Sequence, residues 1–222
     1  MSTSTAIDTR DMVMIHRAFR REFAQAPALV RGVAAGDRER ATTVADHLQL
    51  VLEMLHHHHT GEDRLLWPKL HERVEAELRP IVELMESQHE GIHAVMDQVT
   101  AVLPRWRADA AEAEREQLAA GFEQLSTLLD EHLAAEEAQL LPLAARSVSL
   151  EEWHQLGEEG MASIPKKHLP MIFGMIMKDG DPAVIRGLLA ELPLVPRLLL
   201  PRMAPRAYAR YTRRVHGGAV PA

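Results

Sequence analysis

The sequence contains three pairs of metal-ligating side chains in which the two members stand four residues apart. The pairs are His58 with Glu62, His89 with His93, and His132 with Glu136. In an α-helix, residues with this separation lie about 40° apart around the axis and one turn apart along it, so both share one face. His16 stands alone among apolar residues at helical spacing. Imidazole and carboxylate groups together bind iron, manganese or zinc, so the pattern indicates a metal site.

Four long helices must position these seven side chains. Apolar residues recur at three- and four-residue steps in four stretches with short polar connections, which predicts an all-α, up-down-up-down four-helix bundle. The stretches run from about 8 to 33, from 38 to 70, from 81 onward, and from about 109 to 143. His16 and the three pairs each lie on the apolar stripe of a different stretch. We therefore expect a bundle at residues 8–145 that encloses the candidate ligands.

Seven polar groups pointing into one bundle core would be costly to bury without a partner. A bound cation supplies that partner, but seven ligands are too many for a single ion. Two ions that share the carboxylates account for the number, and helical bundles build dinuclear sites from inward-facing side chains in this way. Zinc suits the set less well than a redox metal, since zinc sites usually close with four ligands per ion.

The order and spacing of these residues resemble those of the hemerythrin family and its HHE cation-binding relatives. The likeness extends to the flanking sequence, with HTGEDRLLWP around the first His-Glu pair and HLAAEEAQLLP around the last. It covers about residues 8 to 145. The resemblance implies a four-helix bundle that holds two iron ions joined by an oxo or hydroxo bridge.

The resemblance also implies a set of metal ligands. The set is His16, His58, Glu62, His89, His93, His132 and Glu136. One iron would take His89 and His93 with one further histidine, and the other would take His16 with the histidine of the second or fourth helix. Glu62 and the fourth-helix carboxylate would bridge the two ions.

The register of the second helix has two solutions, because residues 56–59 are four consecutive histidines. The helix could present His59 with Asp63 instead of His58 with Glu62. Glu62 lies nearer the centre of the apolar stripe than Asp63, which favours the pair that begins at His58. The remaining histidines, His47 among them, are interpreted as solvent-facing.

The fourth helix leaves a second choice, since Glu136 and Glu137 stand four and five residues after His132. In the families that the sequence resembles, oxygen carriers place the carboxylate five residues after the histidine and other HHE proteins place it four after. The centre of the apolar stripe falls close to Glu136, and Glu137 points further around the helix. Glu136 is therefore the predicted ligand.

Composition and charge limit the classes of function. The chain has no cysteine, so neither a disulfide nor a thiolate metal site can form. Residues up to 148 carry 15 basic and 25 acidic side chains, a net charge of −10, and offer a poor surface to nucleic acid. No apolar run approaches the roughly 18 residues of a membrane span, and the N-terminus lacks a signal-peptide pattern. The sequence predicts a cytoplasmic protein without a nucleic-acid or membrane partner.

Residues 149–216 form a helical C-terminal extension of different character. Ser149 to Glu152 is a capping box that opens a short helix. Three more helical segments are predicted at 165–178, 181–192 and 195–215, and the arginines of the last one are interpreted as a solvated face. The extension is expected to cap the bundle, to restrict access to the metals, or to form a homodimer interface.

The function that the resemblance implies is binding of O2, peroxide or nitric oxide, with a peroxide-linked redox or defence activity of the peroxidase or catalase kind. Five neutral imidazoles and two carboxylates favour binding or reduction of such ligands over hydroxylation of strong C–H bonds. The alternative is a non-enzymatic iron-binding or iron-responsive interaction module, in which the metal stabilises the bundle and the extension binds a partner. Turnover with peroxide separates the two.

Overall fold

The structure, a computed structural model, describes residues 6–162 and 164–218, and within these ranges its regular elements are helices with no strand. The all-α prediction is confirmed. The α-helices are α1 (Arg10–Arg31), α2 (Arg38–Leu65), α3 (Trp67–Arg73), α4 (Arg79–Asp109), α5 (Glu112–Ala135), α6 (Leu141–Ser147), α7 (Leu150–Ala162), α8 (Leu169–Met177), α9 (Pro182–Glu191) and α10 (Leu194–Val215).

Helices α1, α2, α4 and α5 form the four-helix bundle. Helix α1 packs against α2 and α5, and α4 packs against the same two helices on the other side. The buried apolar side chains divide into two clusters. The larger contains Phe23, Leu48, Trp106 and Phe122, and the smaller contains Trp67, Leu70 and Met85 with Trp153 of α7. The smaller cluster closes the end of the bundle where the extension begins.

Prolines interrupt two of the helices that the apolar pattern predicts as continuous. The second stretch breaks after Leu65, and α3 begins with Trp67 and Pro68 in its first turn, where the missing N–H of proline is tolerated. The fourth stretch passes through a π-helical turn, Glu136–Leu140, before Pro142 falls in the first turn of α6. Both breaks lie within a few residues of the candidate ligands, so they set the orientation of those side chains.

The extension packs onto the bundle through several helices. The predicted capping box is present: the Ser149 amide donates to Glu152 Oε2 over 2.9 Å, and the Glu152 amide donates to Ser149 Oγ over 3.2 Å. Helix α7 contacts α2, α8 contacts α1, and α10 contacts both α8 and α2. In the part of the chain that is described, no helix has the length and apolar character needed to cross a membrane.

A buried polar network joins α10 to the bundle, and it contradicts the interpretation of His47 as solvent-facing. His47 is 1% exposed, and its Nδ1 lies 3.1 Å from the Tyr211 hydroxyl. The Tyr208 hydroxyl donates to Glu22 Oε1 over 2.6 Å. Burial lowers the pKa of His47 to about 4, so this imidazole is neutral at pH 7. The apolar residues of α2 gave no sign of this burial because the covering helix lies more than 150 residues away in the chain.

Candidate metal centre

Two groups of inward-facing ligand atoms lie side by side in the bundle, each with its atoms within 4.8 Å of one another. The first group comprises His16, His58, Glu62 and Glu136, and the second comprises His59, Glu62, His89 and His132. Glu62 belongs to both. The groups draw on α1, α2, α4 and the junction of α5 with the π-helical turn, so every helix of the bundle contributes.

The distances from carboxylate oxygens to imidazole nitrogens within the groups are longer than ordinary hydrogen bonds. Such distances fit atoms that converge on an ion placed between them. Glu62 Oε1 lies 3.4 Å from His58 Nε2, and Glu62 Oε2 lies 3.6 Å from His89 Nε2. Glu136 Oε2 lies 3.3 Å from His16 Nε2 and 3.7 Å from His132 Nε2. Each carboxylate thus faces imidazole nitrogens from two different helices.

These polar atoms are buried without partners, which is the test of whether the residues fit a cation. Both carboxylate oxygens of Glu62 and of Glu136 lack a hydrogen bond, as do Nε2 of His16, Nε2 of His58 and both ring nitrogens of His59. Glu62 and Glu136 are 0% exposed. Buried polar groups are normally hydrogen-bonded, and a cluster of unsatisfied ones is a costly arrangement unless an ion occupies it. The donor set therefore fits a metal.

The protonation states of the imidazoles also suit metal binding. Burial lowers the pKa of His132 to about 3, and burial lowers the pKa values of His58 and His59 well below the usual 6.5. Burial and the neighbouring Glu136 charge raise the pKa of Glu62 well above 4.5. Neutral imidazoles keep a lone pair for a metal, and a buried carboxyl group such as that of Glu62 ionises more readily once a cation lies beside it.

The structure brings six of the seven predicted ligands into these groups and adds His59. His93 lies outside both groups: it is half-buried, and its ring centroid is 5.7 Å from that of His59 and 5.8 Å from that of His56. His59 is 0% exposed and stacks on His89 with a centroid separation of 4.0 Å. His58 and His59 therefore face different groups, whereas Asp63, the partner of His59 in the second register, lies in neither.

Three of the inward-facing histidines present their outer nitrogen to an acceptor on a neighbouring element. His89 Nδ1 donates to Asp63 Oδ1 over 2.7 Å, and His132 Nδ1 donates to Gln88 Oε1 over 3.2 Å. His16 Nδ1 donates to Glu137 Oε1 over 3.0 Å. With Nδ1 as the protonated nitrogen, Nε2 of each ring keeps its lone pair and faces the centre, where Nε2 of His89 and Nε2 of His132 lie 3.1 Å apart. The sequence pattern indicates Asp63 and Glu137 only as alternative ligands, not as acceptors for the outer nitrogens.

The π-helical turn explains why Glu136 and Glu137 both approach His16. Its wider i→i+5 hydrogen bonding changes the direction of successive side chains, and such turns are frequent at functional sites. Glu136 faces Nε2 of His16 inside the core, and Glu137 faces Nδ1 of the same ring from the partly exposed side. Arg20 Nη1 also donates to Glu137 Oε1, over 2.6 Å. Burial acts to raise the pKa of Glu137, but the bonds from His16 and Arg20 lower it overall.

Comparison with known proteins agrees with the geometry. Residues 8–144, more than half of the chain, match the model of the hemerythrin HHE cation binding domain. The chain belongs to this family, and its bundle is a cation-binding domain. Searches of the curated proteins and of the solved structures gave no significant match.

Replacing Asp63 by asparagine is expected to weaken metal binding about 10- to 100-fold, the usual effect of losing a carboxylate that orients a metal-bound histidine. Asp63 holds both His89 Nδ1 and the Trp67 indole N–H, at 2.7 and 2.8 Å. Both bonds end on the same oxygen, Oδ1, so the amide oxygen of asparagine can accept both but carries no charge. Competition with a chromophoric chelator measures the affinity. Asp97→Asn on α4, an exposed site, is the control, and equal affinities of Asp63→Asn and wild type would contradict the assignment.

Proposed function

We propose that the centre holds two iron ions, one in each group of ligand atoms. Its ligands are His16, His58, His59, Glu62, His89, His132 and Glu136. The observation that carries this proposal is the position of Glu62, whose two oxygens face different groups while neither has a hydrogen-bond partner. A carboxylate placed between two sets of imidazoles suits a pair of adjacent cations, and mixed imidazole and carboxylate ligands suit iron.

The proposed ligand set keeps the composition that the sequence predicts, five imidazoles and two carboxylates, with His59 in place of His93. His16 and His58 serve the first ion, and His59, His89 and His132 serve the second. The family match supports cation binding; the choice of iron and the number of ions are the proposal.

With iron bound, the centre supplies a redox-active metal pair for O2, peroxide or nitric oxide, and we propose binding of these small molecules, with peroxide-linked redox activity, as its function. The surroundings suit such a role. Helix α7 covers the site: a Cβ on Gly61, the residue before Glu62, would lie 3.2 Å from Leu156 Cδ1. Trp153 of the same helix is buried and donates to Asp11. Helix α7 therefore packs against α2 next to Glu62.

Glu137 offers a connection between the centre and solvent. Its side chain is 24% exposed and accepts hydrogen bonds from His16 Nδ1 and from Arg20, whose side chain is 28% exposed. A carboxylate that accepts the Nδ1 proton of a metal-binding histidine fixes the ring's orientation and directs Nε2 at the metal. We therefore assign the orientation of His16 to Glu137, and the positioning of Glu137 to Arg20.

The metal content and visible spectrum of protein produced with added iron test this function. The proposal expects two irons per chain, near-ultraviolet absorption, and a spectral change with consumption of peroxide. Protein that contains no iron would overturn the metal assignment. Protein with two irons that binds neither O2 nor nitric oxide and leaves peroxide unchanged would overturn the redox function and favour the iron-responsive interaction module.

Substitutions at His59 and His93 distinguish the two ligand sets. His59→Ala is expected to lower the iron content from two ions to one, because it removes one of three imidazoles from the second group. His93→Ala is expected to leave two ions, because His93 lies outside both groups. Iron and protein are measured on the same samples after gel filtration. The reverse result, with loss only in His93→Ala, would restore His93 as a ligand.

A further inference from the structure

Exposed apolar side chains concentrate at one place on the surface, the start of α10. Among residues 6–162 and 164–218, seven large apolar side chains are exposed, and five of them lie in the first ten residues of this helix. They are Leu194 (69%), Val195 (65%), Leu198 (57%), Leu199 (50%) and Met203 (49%). Single exposed apolar residues are ordinary, but a cluster of this kind usually marks a contact surface.

The same helix carries a continuous series of exposed arginines and no acidic residue. The arginines are Arg197, Arg202, Arg206, Arg210, Arg213 and Arg214. Within the described ranges none of them lies within ion-pair distance of a carboxylate; Arg206 donates to the Arg202 carbonyl, and Arg214 lies over the Tyr211 ring. This contrasts with the four-helix bundle, where Arg31, Arg107 and Arg115 pair with Asp or Glu.

The apolar cluster and the arginines share the outward side of α10. Ala204, Tyr208 and Val215 are buried on the side that packs against the rest of the protein. Val195, Leu199, Arg202 and Arg206 recur at three- and four-residue steps on the opposite side. The outward side, which we name the α10 face, comprises Leu194, Val195, Leu198, Leu199 and Met203 with the five arginines from Arg202 to Arg214; Arg197, seven residues before Ala204, lies on the other side of the helix. It is apolar at its start and cationic along the rest.

An anionic lipid bilayer is the partner that complements both halves of the α10 face. A helix that lies in the plane of a bilayer inserts apolar side chains at the level of the headgroups, and its arginines bind the anionic phosphates. Nucleic acid would match the arginines but would leave Leu198 and Leu199 without a role. A second copy related by two-fold symmetry fits less well. It would place the arginines of both helices beside one another, where they repel, or place them against the apolar residues at the start of α10.

We propose that the α10 face binds the surface of membranes that contain anionic phospholipid, with Leu194, Val195, Leu198 and Leu199 inserted among the headgroups. The sequence predicts no membrane partner, because no apolar run is long enough to span a bilayer. Binding to the surface needs no such run, since the helix lies along the interface. The proposal places the bundle at a membrane and does not depend on which metal it holds.

Flotation of the full-length chain with lipid vesicles tests the proposal. Binding is expected to vesicles of phosphatidylcholine mixed with phosphatidylglycerol, and not to vesicles of phosphatidylcholine alone. It should weaken when salt rises from 0.05 to about 0.5 M, because the Debye length shortens to a few ångströms. Equal binding to both kinds of vesicle, or no binding to the anionic ones at low salt, would overturn the proposal.

Paired arginine variants locate the binding surface. Arg206→Gln with Arg210→Gln is expected to lower the vesicle partition coefficient about 25-fold, since each arginine near an anionic surface contributes a factor of about five. Arg38→Gln with Arg105→Gln makes the same change of net charge on exposed positions of the bundle. A loss just as large in this control would show a general charge effect and overturn the assignment to α10.

A variant of unchanged charge tests the apolar half. Leu198→Ser with Leu199→Ser should also reduce flotation, at least tenfold, because two leucine side chains that would insert into the bilayer are lost. The melting temperature should not change, because both side chains are exposed in the free protein. Light scattering on the same samples reveals self-association. A wild-type dimer that this variant dissociates, without vesicle binding by the wild type, would show that the α10 face pairs two copies and would overturn the membrane proposal.

Discussion

Replacing Glu62 by alanine is expected to reduce the bound metal from two ions per chain to almost none. Glu62 is the one residue that both groups of ligand atoms share. Without it, the first group keeps His16, His58 and Glu136, the second keeps only three imidazoles, and Glu136 is the one carboxylate left for the pair of cations. The loss should exceed that of His59→Ala, which affects a single group. Metal analysis of purified protein, with circular dichroism to verify the helical fold, measures the effect.

Glu53→Ala is the matched control for this prediction. Glu53 lies on the same helix, carries the same charge and is exposed, and its described hydrogen bond is to Gln49. Its replacement should leave two ions bound. If Glu62→Ala folded and still bound two ions, Glu62 would not lie between the metals and the dinuclear arrangement would be wrong.

The helices and most of the convergent side chains were predictable because they depend on local periodicity. Residues four apart on an apolar stripe must face the same core, and this places His58 with Glu62 and His132 with Glu136 in any bundle of these helices. Adjacent residues are harder to separate. His58 and His59 point about 100° apart around α2, and a helix between two neighbours can direct both inward. The choice between His59 and His93 depends on how α2 and α4 are rotated, which the apolar pattern specifies only coarsely.

The outer hydrogen bonds of the centre could not be predicted, because they join distant parts of the chain. Glu137 lies 121 positions from His16, and Gln88 lies 44 positions from His132. The π-helical turn was hidden for a different reason. Its five residues continue the helical pattern of Leu133 and Leu140, and Pro142 was the only local sign of altered hydrogen bonding. The outer hydrogen bonds and the π-helical turn mainly determine the orientation of the ligand side chains and have less influence on which residues are ligands.

Metal removal is expected to lower the melting temperature by about 10–20 °C. Two ions, each present at about a hundredfold its dissociation constant, stabilise the folded chain by about 5 kcal/mol in total. One kcal/mol corresponds to about 2–4 °C in a protein of this size. Scanning calorimetry before and after dialysis against a chelator, with iron restored to one portion, measures the shift. A melting temperature that did not respond to chelation would mean that the buried ligand atoms bind no ion.

In the metal-free protein, replacing Glu62 should raise the stability of the chain, whereas the same replacement should lower it when iron is bound. Without a cation, its carboxyl group is fully buried beside Glu136 and lacks hydrogen bonds. Glu62→Met replaces it with an apolar side chain of similar length and should stabilise the metal-free chain by about 1–3 kcal/mol, the cost of a buried polar group without a partner. The same variant should melt below the wild type when iron is supplied, because it cannot bind the ions. The order of the two melting temperatures therefore reverses with metal. A variant that is less stable than the wild type in both conditions would show that Glu62 has a packing role independent of the cation.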